Sequence, residues 1–286
     1  MQIKRFTSPQ EFDKHASPFL LTREAEHNLM LGLIQRAIHQ PDQLAYPPYM
    51  AIVADDQIVA VSLRTPPHNA LLSHIEPQHL DRVLDLLVDN YCKAYGTLPG
   101  VVGHKDSSKL FAQKWSTRTG QPYRKDMEQR IYQLTDVTHP QEVSGTFRPA
   151  TASDHDLATR WIGAFQREIF NEEQTQEQLD GAFQRVTMSD RELLLWEDNN
   201  QIVSMAGVVG ISPNGVRVAA VYTPPEHRRK GYAGAVVATL SQRWLDRGKQ
   251  FCFLYTDLSN PTSNHIYQQI GYRPVCDVDV YKFADT

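Results

Sequence analysis

The sequence predicts a mixed α/β protein built from two similar units, and three observations carry that expectation. Apolar residues fall at strand spacing and at helix spacing in alternating segments along the whole chain. A strand, helical sequence, a hairpin, a strand, a helix, a strand and a helix recur in that order in both halves. Between the halves lies Asp136-Val-Thr-His-Pro-Gln-Glu-Val-Ser-Gly145, whose polar, proline- and glycine-bearing composition suits a linker. A chain of 286 residues exceeds the usual size of one domain, so 1–138 and 146–286 are each expected to bury a core of their own.

In the first half the pattern predicts a strand over 3–7 and a helix over 23–39. Ala25, Leu29, Leu33 and either Ile34 or Ala37 share the core face of that helix, and Pro41 marks its end. Apolar strands over 50–54 and 57–63 join at Asp55-Asp56 as a hairpin that Pro66-Pro67 stops. A strand over 70–75 precedes a helix over 78–95. An apolar segment over 98–103, a helix to Trp115 and a strand over 127–134 complete the half. His68, His74 and His79 crowd one stretch, but their spacing matches no standard metal site, and no metal is expected.

The second half repeats the order with a strand over 146–149, helices over 154–170 and 176–188, and a hairpin over 193–210. The hairpins share a fingerprint: Gln57-Ile58-Val59-Ala60 in one half and Gln201-Ile202-Val203-Ser204 in the other. Farther on, 101–115 runs parallel to 253–267, again as strand then helix, so an internal duplication explains the organisation.

Composition narrows the function classes. With 41% apolar and 22% charged residues the chain has no disorder signature, and a net charge of −4 disfavours nucleic acid as a partner. Cys92, Cys252 and Cys276 are few and widely spaced, which suggests free thiols in a reducing compartment. The polar sequence after Met1-Gln-Ile-Lys-Arg-Phe lacks the apolar core of a signal peptide, and no apolar run approaches the ~18 residues of a membrane span. The expected location is the cytoplasm, away from membranes.

Chemistry concentrates in Ala219 to Leu240, AAVYTPPEHRRKGYAGAVVATL. An apolar strand ends at Pro224-Pro225, the chain turns, and Ala233, Val236, Val237, Leu240 and Trp244 then recur on one face of a helix that begins near Gly231. The first turn of a helix has amides without intrahelical partners and the positive end of the dipole. Lys230, Gly231, Tyr232, Ala233 and Gly234 are therefore read as surrounding a pyrophosphate, with Arg228 and Arg229 just before them in the basic turn. Gly231, Ala233 and Gly234 are expected to allow close approach. A solvated basic helix cap is the plainer alternative.

The spacing Arg228-x-x-Gly231-x-Ala233 after a strand resembles the acyl-CoA signature of the GNAT acyltransferase superfamily. Downstream, Asn260-Pro261, Asn264, Tyr267 and Gly271-Tyr272 resemble the second signature of that family. The whole chain is thereby similar to tandem GNAT proteins with an FR47-like C-terminal half. The N-terminal half departs from the pattern: Pro77-Gln78-His79 stands where the basic glycine turn belongs, so that half is expected to lack CoA binding and to shape or cover the substrate cleft of the other.

The resemblance implies acetyl-CoA as co-substrate and an amine, on a small molecule or a peptide, as acceptor, with direct attack in a ternary complex. It implies main-chain pairing of the acyl-pantetheine arm along Val221, Tyr222 and Thr223. Asn260 and Asn264 are expected to approach the pantetheine, although Asn260 is also placed to cap its helix. Tyr267 is read as the general acid; its alternative is core packing beside Ile266 and Ile270. No carboxylate stands on 216–223, which leaves Glu168, Glu172, Glu173 and Asp257 open as the base. The rival function is a non-catalytic acyl-CoA-binding or regulatory module. The acceptor's identity, the acyl chain length and the oligomeric state are not written in the sequence.

Overall fold

The computed structural model describes residues 1–284, Phe170 by its backbone only. It has a mixed α/β fold divided into two compact units. The first comprises Met1–Ile131, Thr256–Ser259 and the segment from Val275 onward; the second comprises Tyr132–Tyr255 and Asn260–Pro274. This differs from the linear division into 1–138 and 146–286, whose last two residues lie outside the described ones. The cause is strand pairing, described below.

In the first unit the elements run β1 (Gln2–Phe6), α1 (Pro9–Leu21), α2 (Glu24–His39), β2 (Tyr49–Ala54), β3 (Ile58–Arg64), β4 (Ala70–Leu72), α3 (Pro77–Tyr95), β5 (Gly100–His104), α4 (Lys105–Thr119) and β6 (Tyr123–Leu134), the last crossing into the second unit. Strands β1 to β5 are neighbours in sequence order, antiparallel except for the parallel pair β4–β5 across the α3 crossover. Strand alternation sorts side chains onto two faces. Tyr49, Ala51 and Val53 meet α3 and α4 through Leu84, Leu87, Tyr91, Phe111 and Trp115. Met50 and Ile52 meet α1 and α2 through Phe12, Ala16, Leu20, Met30 and Ile34.

Helix α1 has no counterpart in the sequence reading. Ser8 caps it by accepting from the Glu11 amide at 3.2 Å, Pro9 fits the first turn, and Phe12, Ala16 and Leu20 stack at four-residue spacing. Pro18 inside the helix disguised that pattern. In α2 the fully buried apolar face is Ala25, Met30, Leu31, Ile34 and Ala37, while Leu29 and Leu33 are half-buried at its border.

The last strand, β12 (Arg273–Phe283), explains the division of the chain. From Val278 to Lys282 it pairs antiparallel with His104 to Gly100 of β5, and its Tyr281 and Phe283 are buried in the first unit's core. Hydrophobic burial and a full ladder thus assign the final strand of the second repeat to the first unit.

The second unit repeats the element order: β7 (Thr146–Pro149), α5 (His155–Phe170), α6 (Gln176–Val186), β8 (Leu193–Asp198), β9 (Gln201–Ile211), β10 (Gly215–Tyr222), α7 (Tyr232–Asp246), β11 (Phe251–Asp257) and α8 (Pro261–Gln269). Strands β7 to β10 are antiparallel neighbours and β10–β11 is parallel across α7. One sheet face buries Val236, Val237, Leu240 and Trp244 of α7. The other buries Ala158, Trp161 and Ile162 of α5 with Phe183 and Val186 of α6. No helix among the described residues is long and apolar enough to cross a membrane.

Candidate functional site

The site starts from a parallel pair that comes apart. Strands β10 and β11 are in register only from Gly215↔Phe251 to Arg217↔Phe253, although β10 continues to Tyr222. On its other side the register with β9 shifts between Ala219 and Tyr222, and Ala220 sits at φ 53°. A left-handed alanine costs about 1–2 kcal/mol, and the extra residue bends the strand as a bulge does. The end of β10 thereby parts from β11 while Tyr222 stays paired with Met205 of β9.

Beyond Tyr222 the chain passes through Pro224 and a turn of 3-10 helix to Arg228. Arg229 at φ 64° and Gly231 at φ 83° flank Lys230, which alternates left-handed and ordinary backbone immediately before α7. Such alternation gathers amides into an anion-binding concavity. Gly231 is the N-cap and has no side chain to satisfy the first turn, where the Ala235 amide is the first to bond back, to the Gly231 carbonyl at 3.0 Å. Arg229 and Lys230 are exposed, and neither forms an ion pair among the described residues.

A cleft of about 1000 Å³ opens here, entirely within the second unit. It is lined by Val221, Tyr222, Thr223, Arg228, Arg229, Gly231, Tyr232, Ala233, Gly234, Asn260 and Tyr267 of the expected set; Lys230 and Asn264 lie outside it. Asn264 is engaged elsewhere. Its amide donates to the Asn260 carbonyl at 2.7 Å, and its Oδ1 accepts from the Tyr132 hydroxyl at 3.0 Å. Asn260 itself caps α8, accepting from the Ser263 amide at 3.0 Å.

Two of the glycines also have close protein neighbours. A Cβ on Gly231 would lie 2.8 Å from Val143 Cγ2, so this glycine serves the left-handed turn and the packing of Val143. A Cβ on Gly234 would meet Pro140 at 3.4 Å and Ile266 at 3.6 Å, which makes Gly234 a close-packing residue between α7 and its neighbours. Both contacts come partly from the stretch expected to be a free linker. The Thr138 amide bonds the Ile270 carbonyl at 3.0 Å, Trp196 bonds the Ser144 carbonyl at 2.9 Å, and Thr138 to Gln141 form a wall of the cleft. His139 and His227 face the cleft as well; no spacing rule singled them out.

Arg228 donates through Nε to the Thr223 carbonyl at 2.9 Å and through Nη2 to Glu168 at 2.7 Å. Glu168 also accepts from the Tyr222 hydroxyl at 3.2 Å, and burial together with this carboxylate raises the Tyr222 phenol above its ordinary range. Ser204 donates to the Tyr222 carbonyl at 3.2 Å. The Tyr232 phenol is committed to Asp198 at 2.7 Å, which leaves its main chain for a ligand. Of the four carboxylates left open as base, Glu168 alone lines the cleft. Glu172 and Glu173 are exposed beyond the end of α5, and Asp257 belongs to the first unit, where it accepts from the Ser259 amide at 2.7 Å.

Tyr267 is half-buried on α8, its ring edge-on to Tyr272 at 6.0 Å. Burial pushes its phenol up to about 12. Among the described residues nothing hydrogen-bonds its hydroxyl, although the residue packs on the core. The packing expected of a core aromatic and a hydroxyl available to the cleft are both present.

Residues 199–281 match the model of the FR47-like protein family, a span that contains both signatures. No curated protein matched the sequence. Solved structures match along the whole chain. A Drosophila protein, 12% identical, covers 99% of this chain and 98% of its own at a TM-score of 0.67. A GCN5-related N-acetyltransferase from Sphaerobacter thermophilus, 14% identical, covers 99% and 95% at 0.65. The GCN5-related glucosamine N-acetyltransferase region of a fungal multi-domain GH3 β-N-acetylglucosaminidase, 14% identical, covers 99% of this chain and 38% of that one at 0.57. The chain therefore has the fold of the GCN5-related N-acetyltransferases over nearly its full length, as the two signatures led us to expect.

Proposed function

We propose that this protein is an N-acetyltransferase that moves an acetyl group from acetyl-CoA to a primary amine by direct attack, with its site in the second unit. The observation that carries the reading is the parting of β10 from β11 beside an uncapped helix N-terminus that bears free cations. The residues fit the co-substrate: an anion-binding backbone, the unpaired Arg229 and a strand end parted from β11 meet in one cleft, with the unpaired Lys230 beside it. Bound acetyl-CoA supplies an activated thioester. The amides of Tyr232, Ala233 and Gly234, with Arg228, Arg229 and Lys230, hold the phosphates. The carbonyls of Tyr222 and Thr223 already accept from Ser204 and Arg228, which shifts main-chain pairing with the pantetheine arm toward Val221. Asn260 and Asn264 act chiefly by fixing α8.

An attacking amine must be neutral. At pH 7 a lysine-like amine with pKa near 10.4 is neutral in about 1 of 10³ molecules, a cost of about 4–5 kcal/mol. Glu168 accepts that proton, directly or through water. Tyr267 offers its proton to the departing sulfur. A phenol near 12 is a weaker acid than a thiol near 8.5, so complete transfer would run uphill by about 5 kcal/mol. Its contribution is therefore a hydrogen bond that strengthens as charge grows on sulfur, with solvent settling the proton afterwards.

The absence of a carboxylate on β10 and the pairing of Glu168 with Arg228 favour the second reading, a non-catalytic acyl-CoA-binding module. A panel of amines, amino sugars included because of the fungal neighbour, is incubated with acetyl-CoA and released thiol is read. Thiol release with one acceptor class, lost in Glu168→Gln while acetyl-CoA still binds, supports the enzyme. Binding without release from any amine supports the module.

A further inference from the structure

The first unit gathers a second set of reactive side chains. Glu26 lies in the first turn of α2, His74 between β4 and α3, His104 at the end of β5, and Cys276 on β12. Ligand atoms of Glu26, His104 and Cys276 all lie within 4.8 Å of one another. Glu26 Oε2 stands 2.9 Å from His104 Nε2 and 3.8 Å from His74 Nδ1. These three atoms are shielded from solvent, yet none is aligned in a hydrogen bond.

The surroundings fix which atoms face inward. His74 Nε2 is 3.1 Å from Glu76 Oε1 and donates to it, which leaves the lone pair of Nδ1 directed at a carboxylate oxygen. Arg23 donates to Glu26 Oε1 at 3.3 Å, leaving Oε2 for the cluster. The His74 amide is tied to His27 Nε2 at 2.9 Å, and His27 Nδ1 is tied to the Leu20 carbonyl at 2.9 Å. A histidine whose far nitrogen donates to a carboxylate, as His74 does to Glu76, is oriented as metal-ligating histidines are. Buried polar atoms call for an aligned hydrogen bond or a cation between them, and Glu26 Oε2, His74 Nδ1 and His104 Nε2 have no aligned hydrogen bond.

We propose that Glu26, His104 and Cys276, with His74 moving in beside Glu26 as the fourth ligand, bind one divalent cation of the zinc class. Donor atoms held at about 2.0–2.3 Å around a tetrahedral zinc lie about 3.3–3.8 Å apart; Glu26 and His74 stand at 3.8 Å, while Glu26 and His104 at 2.9 Å would spread slightly to admit the ion. Two imidazoles, a thiolate and a carboxylate select a borderline transition metal over magnesium or calcium, which take oxygen ligands. Four protein ligands close the site, so the ion is structural and clasps β12 to α2 and to the ends of β4 and β5. No sequence spacing announces it, because each ligand comes from a different element. Of the histidines crowded at 68–79, His74 alone takes part.

The full-length protein, stripped with chelator, is titrated with cobalt(II) and then zinc. The expected result is one equivalent of tetrahedral cobalt with a thiolate charge-transfer band, displaced by zinc. Cys276→Ser removes the band, and His104→Asn weakens zinc binding about tenfold or more, with circular dichroism confirming a fold. His74→Asn serves if either variant does not fold, and His79→Asn leaves the titration unchanged. Failure of the parent protein to bind either metal overturns the proposal, as does a cobalt spectrum that persists unaltered in folded Cys276→Ser and His104→Asn or His74→Asn.

Discussion

Helices α3 and α7 hold the same place in the repeated order of elements, and their first turns have opposite character. At α7 the N-cap is Gly231 at φ 83°, preceded by three cations. At α3 the N-cap is Glu76, whose carboxylate is bound by His74 and Arg23, and Pro77 removes one of the amides. A phosphate finds donors and positive charge at one helix and a carboxylate at the other. The difference teaches that duplicating a fold does not duplicate a site. The layers and crossovers are carried by apolar spacing, whereas the proposed phosphate site rests on a few residues of one turn.

The strongest way to break the comparison uses the helices after the parallel pair. Tyr267 on α8 has a counterpart in Trp115 on α4, which is fully buried with its indole N–H tied to Gln121 at 2.8 Å. We expect Tyr267→Phe to lower kcat about 10²-fold with little change in acetyl-CoA affinity, measured on an amine identified by the screen. Trp115→Phe should cost about 1–3 kcal/mol in denaturant unfolding and leave the turnover of folded protein unaltered. Equal turnover in Tyr267→Phe and the parent would make both residues packing aromatics.

A smaller effect separates the helices that open each unit after its first strand. Before α5, Asp154 is nearly buried, paired with Arg148 at 2.8 Å and bonded to the Thr151 amide, and the Arg148 guanidinium lowers its carboxyl to about 2. Its unfolded value is near 3.8, so its stabilisation is present above that pH and disappears as pH falls through about 2. Asp154→Asn should cost about 2 kcal/mol at pH 7 and much less at pH 2, read by urea unfolding at both values. Before α1 the cap is an uncharged serine. Ser8→Ala should cost about 1 kcal/mol. That loss should be the same at both pH values; a pH-dependent loss there would remove the contrast.

Much of this was legible from local pattern. Strand β7 and the hairpin of β8 and β9 fall where alternation and turn residues put them, and the glycine turn before α7 was visible because its features are local backbone. Long-range partnership was not legible. The pairing of β12 with β5 joins residues far apart in the chain, and so moved the domain boundary. Glu168 and His139 reach the cleft from different elements, and the polar stretch 136–145 earned its linker reading from composition while its backbone packs as a wall. Helix α1 was hidden by one internal proline.

Of the two equivalent turns, only the one before α7 is proposed to bind acetyl-CoA. Isolated halves are a poor test, since β12 serves the first unit. Calorimetric titration of the full chain with acetyl-CoA tests it directly, with Gly231→Val and Pro77→Ala alongside. One equivalent should bind, unchanged by Pro77→Ala. Binding should be lost in Gly231→Val, together with the ~2.7 kcal/mol of stabilisation expected at one hundred times Kd, because valine can neither adopt the left-handed turn nor clear Val143. Two equivalents, or undiminished binding by folded Gly231→Val, would contradict it.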